Sequence, residues 1–406
     1  MEATELIEPT ITTLKPTYTL KQLVLYFLKL GYSGFGGPVA LVGYMHRDLV
    51  EKRKWISEED YKEGLTLAQL APGPLAAQLG IYLGFVHYRY IGATLVGLAF
   101  VLPSFLMVVL LGIFYKMFNG LPWMQAVFYG VGAAVIGIIT MSSYKLTIKS
   151  IGKFNLDSFK SKWLLWLFFL TTLIITFISQ TEVLALFVAA GLLYMFYKAP
   201  PKWSKNSIAK SIFLYTGVGF WDYDSKTLEQ IALFFTKAGA FVFGSGLAII
   251  PFLHGAVTNY HWLDEHQFLD AVAVAMITPG PVVITVGFIG YLVAGFPGAC
   301  VAAACTFLPC YLFTVIPAPY FKKYAKNNSI KAFVDGITAA VVGALAGAVV
   351  VIGVNTFTQN HTVIIDIPSL LIAIGTVFAL LYIKKIQEPY IILIAAVIGL
   401  ILKSFL

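Results

Sequence analysis

The chain has 406 residues, of which 59% are hydrophobic and 12% charged, and its mean hydropathy is +0.82. This composition excludes an ordinary soluble protein. The net charge of +8 would suit nucleic acid, but the Lys and Arg residues fall in short segments between apolar runs. We therefore expect cytoplasmic loops of a membrane protein and no nucleic-acid partner. The first twenty residues lack the pattern of a cleavable signal, and we expect none.

Twelve hydrophobic segments follow a polar tail at 1–18, and a linker at 199–228 separates two predicted repeats, 19–198 and 229–406. The segments lie at about 20–45, 64–88, 92–115, 124–147, 163–179 and 183–198, and then at about 229–255, 269–294, 297–317, 333–354, 367–383 and 389–404. About 20 apolar residues span a bilayer, and lipid offers open strands no hydrogen-bond partners. We predict an all-α polytopic membrane protein.

The second segment contains Pro72-Gly73-Pro74 at the centre of an uncharged run from Gly64 to Tyr88. Each Pro lacks an N–H and fixes φ, and the residue before a Pro is pushed out of the helical region. The stretch therefore predicts a broken helix, which membranes tolerate only where protein buries it or where it lines a wet cavity. A simple kink in a spanning helix is the alternative.

The same stretch recurs as Pro279-Gly280-Pro281, and its surroundings recur in the same order. The offset between matching residues drifts only from 208 to 206. Matching pairs include Lys29 with Lys237, Phe35-Gly36 with Phe243-Gly244, Leu102-Pro103 with Leu308-Pro309, and Gly130-x-x-Ala133-Ala134-x-x-Gly137 with Gly336-x-x-Ala339-Ala340-x-x-Gly343. We interpret the chain as a tandem duplication of one membrane unit.

Loop charge predicts that the two repeats have inverted topology. Segments 46–54 and 145–162 are rich in Lys and Arg, whereas their counterparts, 254–266 and 355–366, contain neither. Basic loops lie on the cytoplasmic side. Inversion needs an odd number of crossings in each repeat, so one of the six segments must enter and leave on one side. We predict about ten full crossings plus two re-entrant broken-helix hairpins at the Pro-Gly-Pro stretches, the alternative being twelve crossings in parallel repeats.

Inverted repeats with broken helices near the midplane are typical of secondary transporters. Pro is favoured at the first helical position, so Pro74 and Pro281 should begin half-helices whose free N–H groups and dipoles favour an anion. Lys29 and Lys237 lie well inside apolar segments, where a charge costs at least about 2.5 kcal/mol. We find no Asp or Glu inside these segments to pair with them. We expect both lysines to face an anion, with snorkelling to an interface as the alternative.

The predicted substrate site comprises both breaks and the residues around them. Its members are Lys29, Lys237, Gln69, Pro72, Gly73, Pro74, Gln78, Thr278, Pro279, Gly280, Pro281, Gly36, Gly37, Gly244 and Ser245. The amide and hydroxyl groups could donate hydrogen bonds to the substrate, although helix–helix hydrogen bonding explains them equally well.

Other polar groups give no sign of catalysis. His254, His261, His266, Asp264 and Glu265 form a predicted external cluster that could bind protons or metal, but a solvated loop is the favoured interpretation. The three cysteines, Cys300, Cys305 and Cys310, share no helix face and are interpreted as small buried residues. We find neither a nucleophile–base set nor a nucleotide motif, so we predict no enzyme and no cofactor.

Several of these motifs resemble the chromate ion transporter family in its long two-domain form. They are Phe35-Gly36-Gly37-Pro38, Trp55, Gln69-x-x-Pro72-Gly73-Pro74-x-x-x-Gln78-Leu79, Leu102-Pro103 and Pro279-Gly280-Pro281. The resemblance covers nearly the whole chain after residue 20. It implies export of chromate, a tetrahedral dianion shaped like sulfate, across the plasma membrane.

The two halves of the site are not expected to be equivalent, because Met276 stands in the second repeat where Gln69 stands in the first, and Ser245 where Gly37 stands.

Alternatives to a chromate exporter are a carrier of sulfate or another anion, an anion channel, and a membrane enzyme or structural subunit. A homodimer in membrane lipid is a further expectation.

Overall fold

A computed structural model of the chain describes residues 17–35, 37–118, 121–180, 183–200, 225–242, 246–321, 327–358, 366–383 and 387–405. Within these ranges the chain is helical and contains no β-strand. Most of the predicted tail and linker, together with the predicted site residues Gly36, Gly244 and Ser245, lie outside the described residues. The prediction of an all-α membrane protein is confirmed.

The helices of the first half are α1 (Leu20–Ser33), α2 (Gly37–Met45), α3 (Glu58–Leu70), α4 (Leu75–Phe118), α5 (Pro122–Ser150), α6 (Leu156–Ser161), α7 (Trp163–Ser179) and α8 (Leu184–Lys198). Those of the second half are α9 (Ser225–Ala240), α10 (Ile250–Thr258), α11 (Glu265–Ile277), α12 (Thr285–Val315), α13 (Asn328–Phe357), α14 (Ile367–Tyr382) and α15 (Glu388–Phe405). A π-helical turn, His46–Lys52, continues α2, and 3-10 turns, Gly246–Ile249 and Val282–Ile284, precede α10 and α12. By length and composition, α4, α5, α13 and α12 with its flanking turns are able to cross a membrane.

The Pro-Gly-Pro stretches end α3 and α11, as their chemistry predicts. Gly73 and Gly280 have φ values of +145° and +97°, a backbone conformation that favours glycine. The chain then reverses: Gly64 and Tyr82, nine residues before and after Gly73, are in direct contact. In a continuous helix these residues would lie about 27 Å apart. The break therefore forms a helical hairpin, and the simple kink is excluded.

Each long helix that follows a hairpin reverses a second time. Arg89 has a φ of +52° within α4, and Gly295 has a φ of +63° within α12. Gly84 and Gly92 pack backbone to backbone across the first reversal, leaving no room for a Cβ on either glycine. Each repeat therefore has a hairpin of two short arms followed by a longer helix.

The peripheral helices of each half pack against a long helix of the other half. Helices α7 and α8 of the first half pack on α13 of the second, while α14 and α15 pack on α5. Gly343 lies against Phe169 of α7, and Gly137 lies against Thr376 of α14. The Thr172 hydroxyl donates to the Ala340 carbonyl at 2.8 Å. Small residues let the helix backbones approach, and each half completes the core of the other.

Candidate substrate site

The tip of each hairpin is bound by the other half of the chain. The Gly73 N–H donates to the Val242 carbonyl at 2.5 Å, and the Gly280 N–H donates to the Gly34 carbonyl at 2.9 Å. Gly34 and Val242 occupy matching positions just beyond the ends of α1 and α9. The two breaks are therefore held at one place between the halves, by equivalent backbone bonds.

A small side chain from the longer helix of the opposite half packs against each tip. Ser104 is fully buried, donates to the Gly31 carbonyl at 3.1 Å, and lies directly beside Gly280. Cys310 occupies the matching position of the second half, and its Sγ would lie 3.0 Å from a Cβ on Gly73. Sequence reasoning missed both residues as neighbours of the site, although their common offset of 206 marks them as a pair.

The second arm of the first hairpin begins with buried N–H groups. Leu75, Ala76 and Ala77 are each less than 5% exposed, and they precede the first helical bond, from the Gln78 N–H to the Pro74 carbonyl at 3.0 Å. The predicted start of a half-helix after Pro74 is present. These N–H groups and the positive end of the helix dipole can stabilise an anion.

The second hairpin departs from this arrangement. A 3-10 turn, Val282–Ile284, follows Pro281, and the regular helix begins only at Thr285. The Ile284 N–H bonds to the Pro281 carbonyl at 2.9 Å, so fewer donors remain at this end. The two halves of the site are unequal, as the sequence differences suggest.

The two breaks share a small cavity. Its lining residues are Pro38, Leu41, Pro74, Ala76, Gly246, Gly280, Pro281 and Val282. The cavity volume is about 10 Å³, which is room for about one water molecule. A tetrahedral oxyanion, with four oxygens around a central atom, does not fit. This conformation is closed, and binding requires the walls to separate.

The predicted polar residues differ in their placement. Gln78 is fully buried beside Gly73, and its Nε2 donates to the Pro72 carbonyl at 2.8 Å. Its Oε1 is the one buried side-chain N or O atom of the described residues that has no hydrogen-bond partner. The Thr278 hydroxyl donates to the Ala275 carbonyl of its own helix, and Gln69 is exposed.

The structure does not bring the two lysines into the cavity. Lys29 and Lys237 are both exposed and do not line it. Each lies two residues before a glycine of its own helix. Gly31 of α1 packs against α4, and Gly239 of α9 packs against α12. The lysines are thus near the hairpin tips along the helix axis but on the opposite helix face, and their anion-facing role stays a prediction.

The predicted external cluster is in part buried. His254 is 2% exposed, and its Nε2 lies 2.9 Å from Glu265 Oε1, which also accepts from Asn355 at 2.8 Å. The solvated-loop interpretation is therefore wrong for His254. Burial acts to raise the pKa of Glu265, but the hydrogen bonds from His254 and Asn355 outweigh it, and the pKa is lowered. The described residues hold no group of three metal-binding side chains.

An equivalent pair lies at the matching position of the first half. His46 Nε2 lies 2.9 Å from Glu58, and the pKa of Glu58 is lowered by its hydrogen bonds to His46 and Lys62. In both halves the histidine binds the first residue of the hairpin's first arm. The pairs therefore fasten each hairpin at its base.

A buried carboxyl group was also missed. Asp270, in α11, is 5% exposed, and it accepts a hydrogen bond from the Tyr115 hydroxyl at 2.7 Å. The expectation that the apolar segments lack Asp and Glu is wrong, because Asp270 is the second residue of the predicted segment 269–294. The first repeat has an acidic residue, Glu63, at the matching position, and it contacts Tyr82. This match could have identified Asp270 as part of the repeated unit.

Comparisons with known proteins agree with this architecture. The chromate transporter family model matches residues 21–195 and 229–400. The chain is 63% identical over 391 residues to the chromate transport protein of Cupriavidus metallidurans, with 95% of this chain and 94% of the relative covered. It is 58% identical to the probable chromate transport protein of Synechococcus elongatus, with 96% and 97% covered.

A more distant relative, the chromate transport protein of Pseudomonas aeruginosa, is 28% identical over 97% of this chain and 94% of its own length. No solved structure matches. Matches to both halves, at high identity over nearly the full length of each chain, show the family. The chain is a multi-pass membrane protein that belongs to the chromate transporter family.

Proposed function

We propose that the chain is a secondary transporter, not an enzyme, that carries chromate across the plasma membrane and exports it, giving chromate resistance. The observation that carries the proposal is that both Pro-Gly-Pro breaks meet around one buried cavity. Two relatives at 63% and 58% identity are named as a chromate transport protein and a probable one. Both span almost the whole of this chain.

The site would bind the oxyanion through backbone groups. An anion that leaves water must exchange its hydration for fixed donors. Buried N–H groups after Pro74 and Pro281 and the dipole of the helix that follows Pro74 supply such donors. Ala76 and Val282, each close behind one of these prolines, both line the cavity. A substrate seated there would contact both halves.

The reciprocal contacts fit a two-fold relation between the repeats, and the loop charges favour its inverted form, with ten crossings and two re-entrant hairpins. Each tip is bonded to the other half, and each half carries the other's peripheral helices. Equivalent contacts in both directions are what a two-fold relation produces. In such a carrier, one hairpin would separate from its Gly34 or Val242 partner on one side of the membrane while the other stays closed.

The lysines would act on the path to the cavity instead of inside it. Lys29 and Lys237 are exposed near the tips along the helix axis, where a charge facing hydrocarbon is costly. A water-filled approach on this face of α1 and α9 would remove that cost and attract an oxyanion. The closed, water-sized cavity fits the occluded state of a carrier, and the transport assay distinguishes a carrier from a channel.

The test is counterflow of labelled chromate into proteoliposomes that contain the full chain. We expect saturable uptake that accelerates with unlabelled chromate inside and that sulfate inhibits in proportion to its own affinity. Replacing Pro72 and Pro74 together with Ala should favour a continuous helix and abolish this exchange without loss of the folded protein. Flux that neither saturates nor responds to internal chromate would identify a channel and contradict the proposal.

A further inference from the structure

Asp270 is enclosed on the hairpin that carries the second tip. Its helix neighbours Leu269 and Ala271 are at most 1% exposed. Its partner, Tyr115, is 3% exposed and packs edge-on against Phe128 and Phe288, with ring centroids 5.3 and 5.5 Å away. The carboxyl group is therefore buried and joined to α4 of the first half by the hydrogen bond from Tyr115, whose own ring is packed among aromatic side chains.

No cation neutralises this carboxyl group within the described part of the chain, where no Lys, Arg or His nitrogen pairs with it. The groups that act on Asp270 are the Tyr115 hydroxyl and the carboxylate of Asp264, which caps the start of α11. Several titratable groups on helices around α11 are engaged elsewhere: His254 of α10 with Glu265, Tyr129 of α5 with Asp366, Lys403 of α15 with the Tyr129 ring, and Lys116 of α4 with the Tyr291 ring. Helix α12 contains no Asp, Glu, His, Lys or Arg.

Movement of the hairpin would change the protonation of this group. An ionised carboxylate is strongly disfavoured where it is buried without a cation, and it is stable where water reaches it. Asp270 lies nine residues before Pro279, or about 13 Å along the helix. Through the low-dielectric protein interior, a dianion at the tip still repels a second negative charge at this distance on the same arm.

We propose that Asp270, positioned by Tyr115, is the proton-binding site of the carrier, and that one proton binds there for each oxyanion carried. This inference rests on the proposed function. The proton comes from water on the side where the oxyanion enters and leaves to water on the other side. The loaded carrier thus moves one net negative charge instead of two, which an interior-negative potential still drives outward.

The experiment uses full-length protein in proteoliposomes at zero membrane potential, at alkaline pH values where chromate is fully ionised. With one proton per oxyanion, a gradient of one pH unit, acidic outside, holds about a tenfold concentration ratio of chromate at equilibrium. An internal pH dye should report acidification as chromate enters. Asp270→Asn should abolish both effects and retain chromate–chromate exchange at equal pH, while Asp270→Glu should restore the pH response.

The matched control is Asp366→Asn. Asp366 also accepts from a tyrosine hydroxyl, that of Tyr129, at 2.7 Å, but it is only half-buried at the start of α14. This variant should keep the tenfold ratio. A normal pH response in Asp270→Asn overturns the inference, as does a folded Asp270→Asn protein that has lost exchange too. Failure of the wild-type chain to exchange chromate refutes the proposed function instead.

Discussion

Gly280 at the second hairpin tip should tolerate no side chain. Its φ of +97° costs any other residue about 1–3 kcal/mol in backbone strain. A Cβ would also overlap the Ser104 hydroxyl and lie 3.3 Å from the Gly31 carbonyl oxygen, and overpacking of this kind costs about 1–3 kcal/mol. We expect Gly280→Ala to lower the free energy of unfolding by roughly 2–6 kcal/mol and to impair transport.

A double-mutant cycle separates the two causes. Ser104→Ala alone should cost about 1 kcal/mol, because it removes the hydrogen bond to Gly31. In the Gly280→Ala background the same change also removes the overlap, so the double mutant should be more stable than the sum of the single effects predicts, by about 1–3 kcal/mol. The backbone strain, the lost hydrogen bond and the close contacts with the Gly31 carbonyl oxygen and the Cβ of residue 104 would then remain.

Reversible denaturation in mixed micelles measures these free energies, and counterflow measures transport. Gly375→Ala is the control, since a Cβ on Gly375 meets nothing within 4 Å and Ala is the better helix former by up to about 1 kcal/mol. Unchanged stability and transport in Gly280→Ala would show that the tip is loosely packed, which would refute the closed arrangement described above.

Three further predictions concern topology, charge and pH. Cysteines introduced at Lys54 and Asp264 should be labelled from opposite sides of the membrane if the repeats are inverted, and labelling from one side would favour parallel repeats. Lys29→Gln and Lys237→Gln should each raise the half-saturation concentration for chromate with little loss of folded protein, whereas unchanged affinity would make them interfacial anchors. Because the pKa of Glu265 is lowered from 4.5, its stabilising contribution is present above that pH and lost as the pH falls through the lowered pKa. Glu265→Gln should be less stable at neutral pH and lose less on acidification, and identical pH profiles of the two proteins would contradict this.

The sequence predicted the helices and their breaks because those features are local. Proline removes a donor and fixes φ wherever it stands, so Pro72 and Pro279 mark the ends of α3 and α11 without knowledge of the rest of the fold. The matching residues around them also identified the duplication. The hairpin reversal at Gly73 then follows from one further contact, Gly64 with Tyr82.

The direction of side chains and the choice of packing partners were not predictable in this way. Lys29 lies on the same exposed face of α1 as Leu25 and Tyr32, whereas Phe27 is fully buried, so hydropathy located its segment but not the face it occupies. The glycines of α5 and α13 were recognised as a repeat, but nothing local indicates that they meet helices of the opposite half. Asp270 was missed because one charge at the edge of an apolar run looks like part of a loop.

The difference between the halves bears on how the site selects its substrate. Gln78 and Thr285 occupy matching positions behind the two breaks, yet their polar atoms are used differently. The Thr285 hydroxyl is bonded to the Val282 carbonyl at 2.7 Å, whereas Gln78 keeps an unpartnered Oε1 in the interior. A buried acceptor without a donor is costly, and the anion itself cannot relieve this cost unless it carries a proton or an ordered water. Gln78 does not line the closed cavity, so this cost falls on the hairpin tip beside Gly73 and not directly on the substrate.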